Sequence, residues 1–134
     1  MRERGPALFC LLAGGGDAAT GLLLIAAPRL VLRLLGVTVP DGDLVLLRWI
    51  GVFVACVGFA YLYPWLLEAG VRRSRRVLAV AEMTAGVRLA VALFVGIAVA
   101  AGSLDLPWVA VGGYDALVAM AQIGLLARGF FGHA

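Results

Sequence analysis

The chain of 134 residues has a net charge of +3, is 63% hydrophobic and 14% charged, and has a mean hydropathy of +1.04. A soluble domain of this size keeps too much surface to hide so large an apolar fraction, and a disordered chain is far more polar, so both classes are excluded. All 11 basic residues are arginines, most of them near the ends of apolar runs, which indicates an integral membrane protein and not a nucleic-acid-binding one.

Four apolar segments are long enough to cross a membrane. A transmembrane helix needs about 20 apolar residues to cross a hydrocarbon core of about 30 Å. The segments that meet this requirement are approximately 7–27, 44–66, 77–101 and 107–128. Pro6 and Pro107 open the first and fourth, as proline often opens a helix, and Pro64 is expected to kink or end the second. We therefore predict an all-α polytopic membrane protein, a single domain over residues 1–134 with four transmembrane helices in an up-down bundle.

The segment between the first two spans, residues 28–40, is too short to cross a membrane. One helical face collects apolar residues, namely Leu30, Val31, Leu34 and Leu35. Arg29 and Arg33 lie one turn apart on another face. This pattern predicts a short interfacial helix on the membrane surface. A lid or re-entrant segment over a cavity is the alternative.

The remaining connections differ in charge. Residues 71–76 read VRRSRR, whereas residues 102–107, GSLDLP, contain no arginine. The N-terminus carries Arg2 and Arg4, and the last span ends at Arg128. The positive-inside rule then places both termini and the arginine-rich connection in the cytoplasm, and we expect a bacterial cytoplasmic membrane. A binding site for acidic lipids is an alternative interpretation of the arginine run.

Five charged residues fall inside the spans: Asp17, Arg48, Glu82, Arg88 and Asp115. Each would cost roughly 2.5–3.5 kcal/mol at the centre of a membrane helix, so we expect them to face other helices and to pair. At ~1.5 Å per residue, Asp17 lies roughly 15 Å, Arg88 roughly 17 Å and Asp115 about 18 Å from the cytoplasmic boundary. We therefore predict a cluster in which Arg88 bridges the two carboxylates. A protonated carboxylate beside the arginine is compatible with the same cluster.

In every span the charge lies on a stripe of small or polar residues, the kind of surface along which membrane helices pack. The stripe around Asp17 comprises Cys10, Gly14 and Gly21, and the stripe beside Arg48 comprises Gly51, Ala55 and Gly58. Ala81 and Thr84 lie around Arg88, and Gly112, Ala119 and Gln122 lie around Asp115. The candidates for completing the hydrogen bonds of the cluster are Thr84, Tyr114 and Gln122.

Two further sets of residues have separate interpretations. Glu82 lies about 120° around the helix from Arg88, so we expect it to meet the arginines of 72–76 or another subunit. Aromatic residues toward the span ends are predicted to form an aromatic belt, and they are Trp49, Tyr61, Tyr63, Trp65 and Trp108.

Motifs of phosphate binding, dinucleotide binding, serine hydrolysis and zinc proteolysis are absent from the sequence. Cys10 and Cys56 are isolated, and His133 is the only histidine, so the sequence indicates neither a disulfide nor a metal or haem site. The glycine-rich stretch AGGGDAATG lies inside an apolar span and indicates helix packing. No catalytic residue and no cofactor can be assigned.

Three stretches resemble the small four-helix DoxX-like membrane proteins. They are AAPRLVLRLLGV (26–37), RWIGVFVACVGFAYLYP (48–64) and YDALVAMAQIGLLARG (114–129). The resemblance implies the four-helix architecture. The family takes its name from a small subunit associated with a thiosulfate:quinone oxidoreductase, so it also implies a role in membrane redox or as an accessory subunit.

These features favour a non-catalytic accessory subunit, or a module that binds an apolar ligand such as a lipid or a quinone-like molecule. The protein would sit in the bilayer with a protein partner or a second copy of itself, and no nucleic acid. Two alternatives stay open. One is a small proton-coupled transporter that works as an oligomer through Asp17, Asp115 or Glu82. The other is a quinone-linked membrane redox subunit, which rests mainly on the resemblance.

Overall fold

The computed structural model of the chain describes residues 4–38 and 41–133. Within these ranges the α-helices are α1 (Arg4–Ala26), α2 (Pro28–Leu35), α3 (Leu44–Leu67), α4 (Gly70–Ala100) and α5 (Val109–Ala127). Short 3-10 helices cover Asp41–Asp43, Leu106–Trp108 and Phe130–His133. Four helical segments are long and apolar enough to cross a membrane, namely α1, α3, α4 and the stretch Leu106–Ala127 that contains α5. The predicted all-α polytopic bundle is confirmed. Arg2, one of the two N-terminal arginines used to predict the orientation, lies outside the described residues.

The start of α4 differs most from the sequence prediction. The arginine run 71–76, predicted as a loop, forms the first turns of α4, and only Glu68 and Ala69 separate this helix from α3. Two arginines stabilise this tight connection by reaching back to the end of α3. Arg73 donates through Nε to the carbonyl of Glu68 at 3.0 Å, and Arg76 pairs with the Glu68 carboxylate at 2.9 Å. The Arg73 hydrogen bond satisfies a carbonyl that the end of a helix leaves without a partner.

Proline does not stop α3 at once. The helix continues for three residues beyond Pro64 and ends at Leu67, where the amide of Glu68 still donates to the Pro64 carbonyl at 3.2 Å. The missing amide of a proline removes only the bond to the preceding turn, so the following residues can complete one more turn.

The long helices form two pairs, because α1 packs chiefly against α3 and α4 against α5. The antiparallel helices α1 and α3 share one spacing of small residues, with Gly14, Ala18 and Gly21 facing Gly51, Ala55 and Gly58. A Cβ atom on Gly21 would overlap the backbone of Ala55, and one on Gly58 would overlap the backbone of Ala18. Backbones approach this closely only where the interface lacks side chains, as at the small-residue contacts of membrane helices.

The helix α2 presents three faces. Pro28, Val31 and Leu32 are buried against the bundle, whereas Leu30 and Leu34 are exposed on a second face. The predicted single face of Leu30, Val31, Leu34 and Leu35 is therefore wrong, because the bundle takes only half of it. Arg29 and Arg33 occupy the third face. An apolar outer face beside a basic face is the pattern of a helix at a membrane surface.

A left-handed glycine ends α2. Gly36 has a φ of 68° and donates to the Arg33 carbonyl at 3.2 Å, while Val37 donates to the Leu32 carbonyl at 2.9 Å. This is the Schellman pattern of a helix C-terminus. Leu32 and Val37 then pack with Leu47 of α3 in a small core. Residues 39 and 40 of the predicted interfacial segment lie outside the described residues.

The C-terminal segment closes the opposite end of the bundle. Phe131 is completely buried and packs with Cys10, Tyr61 and Val77. The rings of Phe9 and Phe131 meet edge to face with their centres 5.3 Å apart. Phe130 and Phe131, which follow the last span, therefore extend the core at this end.

Candidate functional site

A single guanidinium lies at the centre of the candidate site. Arg88 of α4 donates through Nη1 to Oδ1 of Asp115 on α5 at 2.5 Å, and through Nη2 to Oδ2 of Asp17 on α1. The structure thus brings together the three residues that depth counting placed at one level. Because Asp17 belongs to the first helix pair and Asp115 to the second, Arg88 connects the two pairs.

The two carboxylates are enclosed to different degrees. The exposed fraction of the side chain is 10% for Asp17, 16% for Asp115 and 4% for Arg88. The Tyr114 ring covers the outer side of the cluster, with its centre 5.6 Å from Cζ of Arg88, while half of that tyrosine remains exposed. Within the described chain, Nε of Arg88 is buried without a hydrogen-bond partner. The guanidinium therefore uses its two terminal nitrogens and leaves its third donor side unused.

A second polar network centres on Gln122 of α5. Its Nε2 donates to the Ala81 carbonyl at 2.6 Å and to Oγ1 of Thr84 at 2.8 Å, and its Oε1 accepts from the hydroxyl of Tyr61 at 2.9 Å. Thr84 in turn donates to the Val80 carbonyl at 2.6 Å. Thr84 and Gln122 were predicted as candidates for completing the hydrogen bonds of the charged cluster. Their described hydrogen bonds belong instead to this second network, which adjoins the cluster through Tyr61. Tyr114 is the predicted supporting residue that does contact Arg88.

Tyr61 is a polar core residue that sequence reasoning assigned to the aromatic belt. Only 1% of it is exposed, and its hydroxyl is the contribution of α3 to the Gln122 network. It also lies within interaction distance of the Arg88 guanidinium. A signal was present in the sequence, because Tyr61 follows Gly58 by three residues and so continues the small-residue face of α3. Tyr61 and Gln122 form a second link between the helix pairs.

Arg48 does not join the cluster. It is exposed near the start of α3, where it borders the turn from α1 into α2. The expected pairing with another charge does not occur among the described residues. Gly51, one turn further along, already meets Leu24 and Ile25 at the end of α1. Arg48 therefore lies one turn further toward the start of α3, at the level where α1 ends and α2 begins.

Glu82 does not join the cluster either. It is exposed on α4, and none of the described residues forms an ion pair with it. The expected meeting with the arginines of 72–76 does not occur, because Arg76 pairs with Glu68 instead. Glu82 is thus a carboxylate on the outer surface of a membrane-spanning helix.

No protein-family model, curated protein or solved structure matches this chain. Its class is therefore defined by its own architecture. It is a four-helix membrane bundle in which two closely packed helix pairs are joined by buried polar groups. Both cysteines are free, with Cys10 buried and Cys56 exposed.

Proposed function

We propose that this protein is an accessory subunit of a bacterial membrane complex, in which α4 presents Glu82 to a hydrogen-bond donor of a partner protein. Both termini and the arginines of 72–76 face the cytoplasm in this proposal, as the positive-inside rule requires. The single observation that carries it is the outward position of Glu82.

The depth of Glu82 makes an uncovered position costly. Glu82 lies six residues beyond Arg76, which is about 9 Å along the helix axis into the apolar span. An ionised carboxylate facing lipid there costs up to roughly 2.5–3.5 kcal/mol. Asp17 and Asp115 avoid this cost by pairing with Arg88 inside the bundle. A partner that supplies a donor would do the same for Glu82.

The surface around Glu82 suits close approach of another helix. Gly86 lies one turn further along the same face, and the space that a Cβ would occupy there is open. Met83 beside it is 68% exposed. A glycine next to a polar group is a frequent combination where membrane helices associate, because the backbones approach and the polar group finds a partner.

The resemblance of 26–37, 48–64 and 114–129 to DoxX-like proteins supports the same role, since the family is named after a small subunit of a larger assembly. A quinone-linked membrane oxidoreductase is the kind of assembly that this resemblance suggests. The buried cluster of Asp17, Arg88 and Asp115 then serves as the internal connection that keeps the docking face of α4 in place.

The proposal is tested by photocrosslinking in native membranes. A photoreactive amino acid at Met83, which is 68% exposed, should form an adduct with a distinct protein, whereas the same probe at Leu12, 66% exposed on α1, should label mainly lipid. Replacing Glu82 with Leu should lower the yield of the Met83 adduct about tenfold, because a hydrogen bond to a charged group is lost. Glu82→Gln, which still accepts a hydrogen bond, should retain part of it.

The alternative functions predict different adducts in the photocrosslinking experiment. Lipid adducts alone at Met83, unchanged by Glu82→Leu, would contradict the proposal. An adduct with a second copy of the chain would replace the accessory subunit by a homo-oligomer. A small adduct with a quinone or one lipid species would favour the apolar-ligand module instead.

A further inference from the structure

A cleft of about 330 Å³ lies at the end of the bundle where α1 turns into α2. Its lining combines the apolar turn between these helices with Leu44 and with two arginines, Arg29 and Arg48. We propose that this cleft binds a phosphate group, carried by the headgroup of a membrane lipid or by a free anion.

The lining has the chemistry of an anion site. Arg29 of α2 and Arg48 of α3 reach it from different helices, and none of the described residues that line it is acidic. A guanidinium presents paired N–H donors that match the oxygens of a phosphate, so two of them can hold one phosphate group from two sides. The volume lies at the lower end of the range of about 300–1,000 Å³ for small-molecule sites.

The cleft is held in shape by the core beneath it. Leu32 and Val37, around the glycine that ends α2, pack with Leu47 of α3. Leu44, which lines the cleft, packs against the same core. The buried apolar contacts therefore hold the helices that carry Arg29 and Arg48 in place relative to each other.

The surroundings favour a lipid as the source of the phosphate. Leu30 lines the cleft and is 50% exposed, and Leu34 continues its face one turn further with 77% exposed. A phosphate between the arginines would have its acyl chains beside these leucines, at the depth where an interfacial helix lies. Arg48 has no ion pair with any acidic residue in the described ranges, so the site also gives this otherwise unassigned charge a partner.

Native mass spectrometry of the intact purified protein tests the site. Phosphatidylglycerol should bind, and diacylglycerol, which lacks the phosphate, should bind about tenfold more weakly. Arg48→Gln and Arg29→Gln should each weaken phosphatidylglycerol binding about tenfold. The matched control is Arg33→Gln, which removes the same charge one turn along α2 but does not line the cleft, and it should change binding by less than about twofold. The melting temperature of each variant verifies its folding.

Competition with inorganic phosphate distinguishes a lipid headgroup from a free anion as the source of the phosphate group. If millimolar phosphate displaces phosphatidylglycerol and also binds alone, the site takes the phosphate group from either source. If phosphate neither binds nor competes while Arg48→Gln still weakens the lipid, the source is the lipid headgroup. The proposal is overturned if Arg48→Gln and Arg33→Gln behave alike, or if phosphatidylglycerol binds no better than diacylglycerol.

Discussion

At the scale of single residues, Arg88 gives the bundle its main connection. Its two terminal nitrogens each serve a carboxylate from a different helix pair, and the whole residue is 3% exposed. A lysine offers no rigid pair of donors at this separation, so the planar guanidinium is the group that fits. The charged cluster and the Gln122 network together account for the polar side chains buried between these helices.

Replacing Arg88 with Gln should lower the free energy of unfolding by about 3–5 kcal/mol, because two buried carboxylates lose their partner. The combination Asp17→Asn, Arg88→Gln and Asp115→Asn should recover at least half of that loss, since no unpaired charge remains. Reversible unfolding in mild detergent measures both values. Arg75→Gln, an exposed arginine on the same helix, serves as the control and should change stability by less than about 0.5 kcal/mol. Equal stability of Arg88→Gln and Arg75→Gln would contradict a structural role for the cluster.

At the scale of elements, the four arginines at the start of α4 divide into two pairs. Arg73 and Arg76 lie on the end of α3, with their guanidinium carbons 5.1 Å from the ring centres of Trp65 and Tyr63. The other two, Arg72 and Arg75, form no hydrogen bond, ion pair or ring contact with the described residues. The charge pattern alone predicted a role in membrane orientation for all four residues, with a binding site for acidic lipids as the alternative. The structure adds a packing role for two of them.

The double variant Arg73→Gln and Arg76→Gln should therefore lower the free energy of unfolding by about 1–3 kcal/mol, through lost stacking, a lost ion pair and a lost cap on α3. Arg72→Gln with Arg75→Gln removes the same charge and should stay within about 0.5 kcal/mol of the unmodified protein. Thermal unfolding in one detergent compares the two. If both pairs destabilise the protein equally, total charge and not contact with α3 is what matters.

At the scale of the whole molecule, the interfaces between helices differ in kind. Within the pair α1 and α3 the contact is close and formed by glycine and alanine, whereas the two pairs are joined by hydrogen bonds from Arg88 to Asp17 and from Tyr61 to Gln122. Lipid chains are as apolar as the helix surfaces, so close packing and hydrogen bonds, not hydrophobicity, must hold the bundle together. The interface of α1 with α3 relies on close packing and the contacts between the pairs on hydrogen bonds, whereas the interface of α4 with α5 uses both.

Glycine substitutions should change the free energy of unfolding in opposite directions at the packed interface and at the open surface. Gly58→Ala should lower the free energy of unfolding by about 1–3 kcal/mol, because the added methyl group overlaps the backbone of Ala18. Gly96→Ala, where nothing lies within contact distance of a Cβ, should raise it by up to about 1 kcal/mol through better helix propensity. Unfolding free energies of the two variants give the comparison, and the same sign for both would contradict the packing described for α1 and α3.

The depth of the charged residues along their helices could be predicted from the sequence, but the side of each helix that faces the bundle could not. The rise per residue of a helix is fixed, so counting placed Asp17, Arg88 and Asp115 at one level, and the stripe around Asp115 is buried as expected. Whether Arg48 and Glu82 face inward depends on which neighbour covers them, and that is a property of the assembled bundle. A single sequence carries no signal for where α1 stops covering α3.

The boundary of α4 was missed for a different reason. Hydropathy marks where a chain leaves the membrane, and the arginines of 72–76 are polar, so the span appeared to begin at residue 77. A helix need not end where the membrane ends, and arginine is a good helix former. Contacts with α3 then extend α4 back to Gly70.

The equal spacing of small residues on α1 and α3 has a consequence for how the chain avoids misfolding. Gly14 and Gly21 are seven residues apart, as are Gly51 and Gly58, so sliding one helix past the other by about 10 Å would again set glycine against glycine. Close packing alone therefore tolerates a wrong alignment. In that alignment Asp17 would lie about 10 Å from Arg88, a bare anion in hydrocarbon. The carboxylate of Asp17 thus disfavours the shifted alignment and selects one register of the two that the glycines allow.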